Sequence, residues 1–489
     1  MNTEHSIQNR PKRILFVNPA KKEGFYTDRI HMGLSLLGSI LSKEGHEVKI
    51  IDYAYLRSLR QCPSIESIIN DFLPDVISVT IFTYHYTACQ EMLDRISKCS
   101  NAPIIVGGPH VTLFPQDFMN DKRISYIVRG EAEKIIAETV RNASHQLVPV
   151  VINAPAPEPQ EIPEVNLGIA AGSEFLKDYQ IQLSRGCPFT CSFCNVKSIA
   201  GRKVRARDLD TCIHQIEKAL AEFPNIESVS ITDDCPTFNK ERFKQFLKKF
   251  ASKKFNVTLT IDNMRADLID EEMLDLYVSA GGKNICLGVE SAHPEVFKMV
   301  HKSESLDDIV KAARLIKKFN LQLGMCFVIG LPGDTMERHL SSIKLAKELK
   351  PDYAFWNMCT PWPGTEVHEW FKENGTIGDL RDFSTLIVPK FIFQDPPVTS
   401  AQFGKEDRIR AWLMANLETN SLLFFSFGIR NIGGFVSEFI VLLRLAKKYK
   451  LIKSVPVYMG YTVKRFLLET RNYLAATRRS KSHPGHKQI

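Results

Sequence analysis

Short apolar runs alternating with amphipathic stretches fill the first 150 residues. Residues 13–19 (RILFVNP), 47–53 (EVKIIDY), 76–82 (VISVTIF), 102–106 and 124–128 read as buried strands. Helical periodicity occupies 32–43, 64–72 and about 87–96 between them. This alternation predicts an α/β domain over residues 1–150, a doubly wound parallel sheet with helices on both faces. Such sheets take ligands beyond the carboxyl ends of their strands. Residues 145–178 break the rhythm. The stretch APAPEPQEIPE at 154–164 sustains neither helix nor central strand, so 151–178 is expected to be a linker. Alternation resumes at 180–183 and continues with strands at 228–232, 257–261, 285–289, 323–329 and 353–358. Over 179–363 this predicts a partial β/α (TIM-like) barrel, with its chemistry at the C-terminal mouth of the strands. Residues 364–489 read as a helical C-terminal region, with helices at 366–371, 405–418, 435–449 and 461–475.

Composition narrows the class. With 44% hydrophobic residues the 489-residue chain can bury several cores and is not disordered. No run reaches the ~18 apolar residues of a spanning helix, and residues 1–12 lack the apolar core of a secretory leader, so a cytoplasmic protein is expected. The formal net charge of +8 is local, because residues 401–489 alone carry 16 basic and 5 acidic side chains. These basic helices suit a cover over the barrel mouth, contact with an anionic or lipid-like substrate, or peripheral contact with a membrane surface. No recognition motif supports nucleic-acid binding.

Eleven scattered cysteines do not form a disulfide framework. Three of them, Cys187, Cys191 and Cys194, sit in GCPFTCSFCN just after a predicted strand. Three thiolates without a fourth nearby suit a cubic iron-sulfur cluster with one open iron, whereas a structural zinc site needs a fourth ligand. The spacing, with Phe193 before the last cysteine, resembles the radical S-adenosylmethionine (SAM) enzyme motif. The resemblance implies a [4Fe-4S] cluster on Cys187, Cys191 and Cys194, SAM on the open iron, and a 5'-deoxyadenosyl radical that abstracts an unactivated hydrogen. Further segments follow in the family's order. LGVES ends a strand at Glu290, which the resemblance places near the SAM ribose. IGLPGDT, with Gly330 and Gly333, resembles the adenine-side turn. ITDDCPTF carries Asp233 and Asp234, either of which could accept the SAM ammonium, and Cys235 beside them. Arg265 could compensate a carboxylate, while Lys302 could equally lie on the surface. Arg202, Lys203, Arg205 and Arg207 could bear on cluster charge or form a solvated face.

The first domain resembles the cobalamin-binding domain of one large branch of these enzymes, through ILFVNP, GLSLLGSILSKEGHEVKIIDY, GGPHVT and VRGEAE. That branch includes the anaerobic Mg-protoporphyrin ester cyclase and the class B radical SAM methyltransferases. The sheet alone would fit a nucleotide, flavin or corrinoid, and a GxGxxG fingerprint is absent. Also absent is the Asp-x-His-x-x-Gly of classical methyl-carrying corrinoid proteins, which implies cobalamin held without that histidine. Thr83, Tyr84, Gly107, Gly108 and His110 are expected to face the crevice, with the GGPHVT turn cradling the corrin edge or tail rather than His110 ligating cobalt. The resemblance implies C-methylation of a small-molecule or lipid-like substrate, with a flavodoxin or ferredoxin as reductant. The alternatives are cyclisation, oxidation or rearrangement without methylation, an enzyme without cobalamin, and a cluster-bearing sensor or assembly factor without turnover.

Overall fold

A computed structural model describes residues 10–21, 27–261, 264–383, 395–419 and 443–456. The N-terminal sheet contains six parallel strands, β1 (Arg13–Asn18), β2 (Glu47–Asp52), β3 (Val76–Thr80), β4 (Ile104–Gly107), β5 (Tyr126–Arg129) and β6 (Val150–Asn153), in the order β2-β1-β3-β4-β5-β6. Apart from its first residue β1 is wholly buried, as is β3, which is why both read as continuous apolar runs. Helices α1 (Met32–Lys43), α2 (Tyr53–Ser58), α3 (Ile65–Phe72), α4 (Tyr86–Cys99), α5 (Pro109–Leu113) and α6 (Ile136–Arg141) connect them. The order reverses between β1 and β3, the place where such sheets open a ligand crevice. Buried Asp52 ties this end together. It accepts from Asn18 Nδ2 (2.8 Å), the His31 amide (2.9 Å) and the Ala54 amide (3.0 Å).

Strand β6 corrects the expected linker, because the sheet continues into it. It pairs along β5 from Val150 to Asn153, as an edge strand with mostly exposed side chains and hence no hydrophobic signature. The chain beyond it also docks on the first domain, through the Ala171 amide on Ile50 O (3.0 Å) and Tyr55 Oη on Gly172 O (2.9 Å).

The second unit is a partial barrel. Strands β7 (Asp178–Ile181), β10 (Ser228–Ile231) and β11 (Thr258–Ile261) form one parallel trio, and β12 (Asn284–Glu290), β13 (Gln322–Ile329) and β14 (Tyr353–Met358) another. Parallel bridges Leu259–Gly282 and Met264–Leu287 join the trios into a curved wall. A two-residue hairpin, β8 (Ser184–Arg185) with β9 (Arg205–Ala206), follows β7 and encloses the cysteine loop and α7 (Val196–Ile199). The outer layer comprises α8 (Leu209–Glu222), α9 (Lys240–Ser252), α10 (Glu271–Ser279), α11 (Pro294–Met299), α12 (Leu306–Lys318) and α13 (Met336–Leu349).

After the barrel come α14 (Glu366–Asn374), the hairpin β15 (Gly375–Ile377) with β16 (Val398–Ser400), and α15 (Lys405–Glu418). Helix α15 buries Trp412, whose Nε1 donates to Trp356 O on β14 (3.0 Å). The helix expected at 461–475 lies outside the described residues, as does most of that expected at 435–449. No helix among the described residues is long and apolar enough to cross a membrane.

Candidate active site

The cysteine loop starts where β8 ends. The Gly186 amide donates to Asp234 Oδ2 (2.8 Å), the Cys187 amide to Gly201 O (3.2 Å), and the Cys194 amide to Cys191 O (3.1 Å). On the other side Ser192 is pinned to α11, its amide on Val300 O (2.8 Å) and its hydroxyl on Met299 O (2.7 Å). Cys187, Cys191 and Cys194 are all half-buried and line one pocket with Phe189, Lys197 and Arg202. A hydrogen bond from Cys235 draws the Cys187 thiol down to about 7, whereas burial pushes Cys191 up to about 11 and raises Cys194. Among the described residues no three His, Cys, Asp or Glu side chains close around a single metal ion. Three soft donors on a short, half-covered loop fit a cluster with an open corner.

Beneath the loop lies a buried ionic network. The Arg265 guanidinium stacks over the Phe189 ring at 3.6 Å from its centroid. It donates to Asp267 Oδ1 and Oδ2 (both 3.0 Å) and to Lys302 O (2.6 Å). Lys302 is buried rather than on the surface, with Nζ 3.0 Å from Glu290 and 2.8 Å from Glu304. Burial opposes its charge, but the two carboxylates outweigh that and raise its pKa. Glu290 reaches Lys302 through a register shift in β12 and a left-handed backbone, φ 62°. Gly288 makes room for the pair, since a Cβ there would lie 2.6 Å from Glu290 Oε1 and 2.7 Å from Lys302 Nζ.

The two aspartates have separate positions. Asp233 is spent inside the protein, accepting from the Leu183 amide (2.7 Å) and the Ser184 hydroxyl (2.6 Å), and burial pushes it up to about 7. It holds the approach to the cysteine loop, which corrects its expected place beside SAM. Asp234 lines a crevice shared with the first domain.

The glycine turn after β13 is capped from outside. Gly330 has φ +78°, and a Cβ there would lie 1.7 Å from Arg408 Nη1. Arg408, fully buried on α15, donates to Gly330 O (3.0 Å) and Phe403 O (2.8 Å). Gly333 lies on a cavity of about 650 Å³ with His293, Thr335, Arg338, Ser341 and Trp370. Burial pushes Asp334 up to about 6, although it accepts from the Gly330 and Thr335 amides (both 2.9 Å).

The crevice of the first domain, about 300 Å³, lies beyond the carboxyl ends of β3, β4 and β5. Thr80, Gly107, Gly108 and Gly130 line it from that side, and Arg185, Ala200 and Asp234 close it from the cysteine-loop side. Glycine backbone below and Leu37, Val79 and Ile105 beside it suit a flat, largely apolar ligand such as a corrin. His110 and Thr83 do not line it. The His110 ring is wholly buried, with Nδ1 on Thr83 Oγ1 (3.0 Å) and Nε2 on Asp117 Oδ2 (3.1 Å). Both nitrogens are engaged, which corrects the expectation that His110 and Thr83 face the ligand and leaves no ring nitrogen of His110 for cobalt. The histidine on the crevice is His31, whose Nδ1 accepts the Leu34 amide (3.1 Å) as the N-cap of α1.

Glu304, Asp267, Phe189 and Arg408 were not singled out from the sequence. Phe189 lies inside the motif and was detectable there. Arg408 lies 78 positions from its partner Gly330, and no local pattern connects them.

A parallel sheet with a ligand crevice thus opens onto a three-cysteine loop at a barrel mouth, the arrangement expected of a radical SAM enzyme with a second cofactor domain. Matching family models agree: "Radical SAM superfamily" over residues 181–346 and "B12 binding domain" over 25–140. The chain thus carries a radical SAM domain together with a B12-binding domain, whose cofactors are a [4Fe-4S] cluster, SAM and cobalamin. It is 28% identical to an uncharacterized methyltransferase of Pyrococcus horikoshii, over 73% of this chain and 82% of that one. It is 25% identical to the anaerobic magnesium-protoporphyrin IX monomethyl ester cyclase of Cereibacter sphaeroides, over 76% and 66%. The fold is similar to that of the radical SAM methyltransferase TsrM from Kitasatospora setae, solved with cobalamin and a [4Fe-4S] cluster (TM-score 0.59, 19% identity, 73% and 74% covered).

Proposed function

We propose that this chain transfers a methyl group to an unactivated carbon of a small-molecule substrate. The observation that carries the reading is the shared crevice, where Gly107 and Gly108 of the first domain face Asp234 and Arg185 of the cysteine loop's surroundings. Cys187, Cys191 and Cys194 would hold the cluster, the crevice would hold cobalamin, and Arg265, Glu290, Gly330 and Gly333 would bound the SAM site. When bound, these groups supply a reductive cleavage of SAM and a methyl donor. The protein's part is to position them and to exclude water. Phe189 and Arg265 cover the loop from the barrel side, and the cation complements an anionic cluster. Lys302 holds Glu290 in one orientation, ready to accept from a hydroxyl or ammonium. Cobalamin would be held without a histidine ligand from the crevice lining, because both His110 ring nitrogens bond Thr83 and Asp117, and His31 Nδ1 accepts the Leu34 amide, which leaves the ring proton on Nε2. A flavodoxin- or ferredoxin-type protein is proposed as reductant, and the C-terminal helices as the place of any contact with a lipid-like substrate or a membrane surface.

The test is anaerobic reconstitution with iron, sulfide and hydroxocobalamin, then incubation with reductant, a cell extract and SAM bearing a labelled methyl. Label in one extract product supports methyl transfer. SAM cleavage with a new but unlabelled product would select cyclisation or oxidation, the activity named for the cyclase relative. No SAM cleavage would favour a sensor or assembly factor.

A further inference from the structure

Three segments whose charged side chains have no assigned role in the proposed chemistry meet at one place. The chain after β5 brings Glu131 and Glu133 from the first domain, β8 brings Arg185, and β9 brings Arg205. Arg185 Nη1 lies 2.7 Å from Glu131 Oε2 and 2.5 Å from Glu133 Oε1. Arg205 Nη1 is 3.1 Å from the same Glu131 oxygen, and its Nη2 bonds the other one. All four side chains are at most a tenth exposed. Further donors of the same two side chains are occupied: Arg185 Nε donates to Gln182 Oε1 (2.8 Å), and Arg205 to Pro157 O (2.7 Å) and Ala200 O (2.9 Å). Two guanidinium forks and two carboxylates thus balance in charge away from water, the condition under which buried ions are tolerated.

The location gives the cluster of charges its meaning. Arg185 and Arg205 pair across the β8–β9 hairpin, so they stand at the two ends of the loop that carries the cysteines. Their carboxylates come from the other domain, and Glu131, Glu133 and Arg185 themselves line the crevice. We propose that Glu131, Glu133, Arg185 and Arg205 form an interdomain lock that sets the distance and orientation between the corrinoid crevice and the cysteine loop. They are positioning residues for the reaction, and this role rests on the reading that the crevice holds cobalamin. A ligand seated in the crevice touches the lock, so its binding tightens the docking of the two domains.

The test uses the full chain with Glu131→Gln and Glu133→Gln together, both remote in sequence from the cysteines. In the cofactor-free protein, hydrogen exchange should quicken by ~10-fold or more in peptides covering 129–136 and 199–207, and stay unchanged in β3 and β13. Unchanged exchange in both windows overturns the lock. If β3 and β13 also quicken, Glu133→Gln alone, which breaks one contact to Arg185, is read in the same windows by the same criterion. In reconstituted protein, the magnetic coupling between cob(II)alamin and the reduced cluster should change while the cluster, which the two glutamates do not touch, keeps its own spectrum. An unchanged coupling overturns the positioning role. Wild-type protein that takes up no cobalamin refutes the functional reading, whereas the exchange result judges the lock independently.

Discussion

Lys302 stands between Glu290 and Glu304, and neither carboxylate has solvent to turn to. Removing the cation while leaving both acids should cost about 3–5 kcal/mol, the usual penalty for an uncompensated buried charge. Lys302→Met is therefore expected to lower the urea midpoint of the cofactor-free protein sharply, while Glu290→Gln alone has a smaller effect. Equal, small effects would contradict the network. A second residue-scale prediction concerns pH. His339 is wholly buried on α13, and burial drives its pKa down to about 3 from an unfolded value near 6.5. The unfolded chain then binds the extra proton, so stability is full above pH 6.5 and falls as pH drops toward 3, by up to about 1.4 kcal/mol per unit. His339→Leu should flatten this acid limb in urea titrations at pH 7 and pH 5. Individual ligands were legible in the sequence because spacing carries them, as with the three cysteines. Individual roles were less so. Lys302 and Arg205 have the composition of a solvated face, and only long-range pairing buries them. His110 in GGPHVT suggested a ligand, yet its partners Thr83 and Asp117 come from elsewhere and consume both nitrogens.

At the scale of elements, the turn after β13 and helix α15 fit one another as a socket and plug. Gly330→Ala would place a methyl group on the Arg408 guanidinium and force an alanine to φ +78°. Expected is a loss of about 2 kcal/mol or more, with α15 released to protease between the barrel and the C-terminal region. Unchanged stability and cleavage would contradict the plug. The strap after β15 offers a parallel case. Arg381 makes two 2.9 Å bonds to Asp117, and Asp382 pairs with Lys21 at 2.8 Å, so residues beyond the barrel hold the first domain near β3. Asp117→Asn should loosen that strap and also unseat His110, visible as faster exchange at 109–118. Strands with one clear periodicity were predicted to within a residue or two. Strand β6 was not, because an exposed edge strand has no hydrophobic pattern to betray it.

For the whole molecule, the sequence order of sheet, proline-rich connection and barrel was readable, but how the two units face each other was not. That arrangement rests on the pairing of VRGEAE with the two ends of the cysteine loop, segments more than 50 residues apart. It brings the crevice and the cluster loop to one shared surface, and the proposed methyl transfer depends on that proximity. The measurement that tests the central claim most directly is electron paramagnetic resonance of the anaerobically reconstituted, reduced protein with and without SAM. The predicted result is a reduced [4Fe-4S] signal that shifts when SAM is added, and that is lost in Cys191→Ala. A wild-type protein that assembles no cluster, or whose cluster signal ignores SAM, would contradict the account.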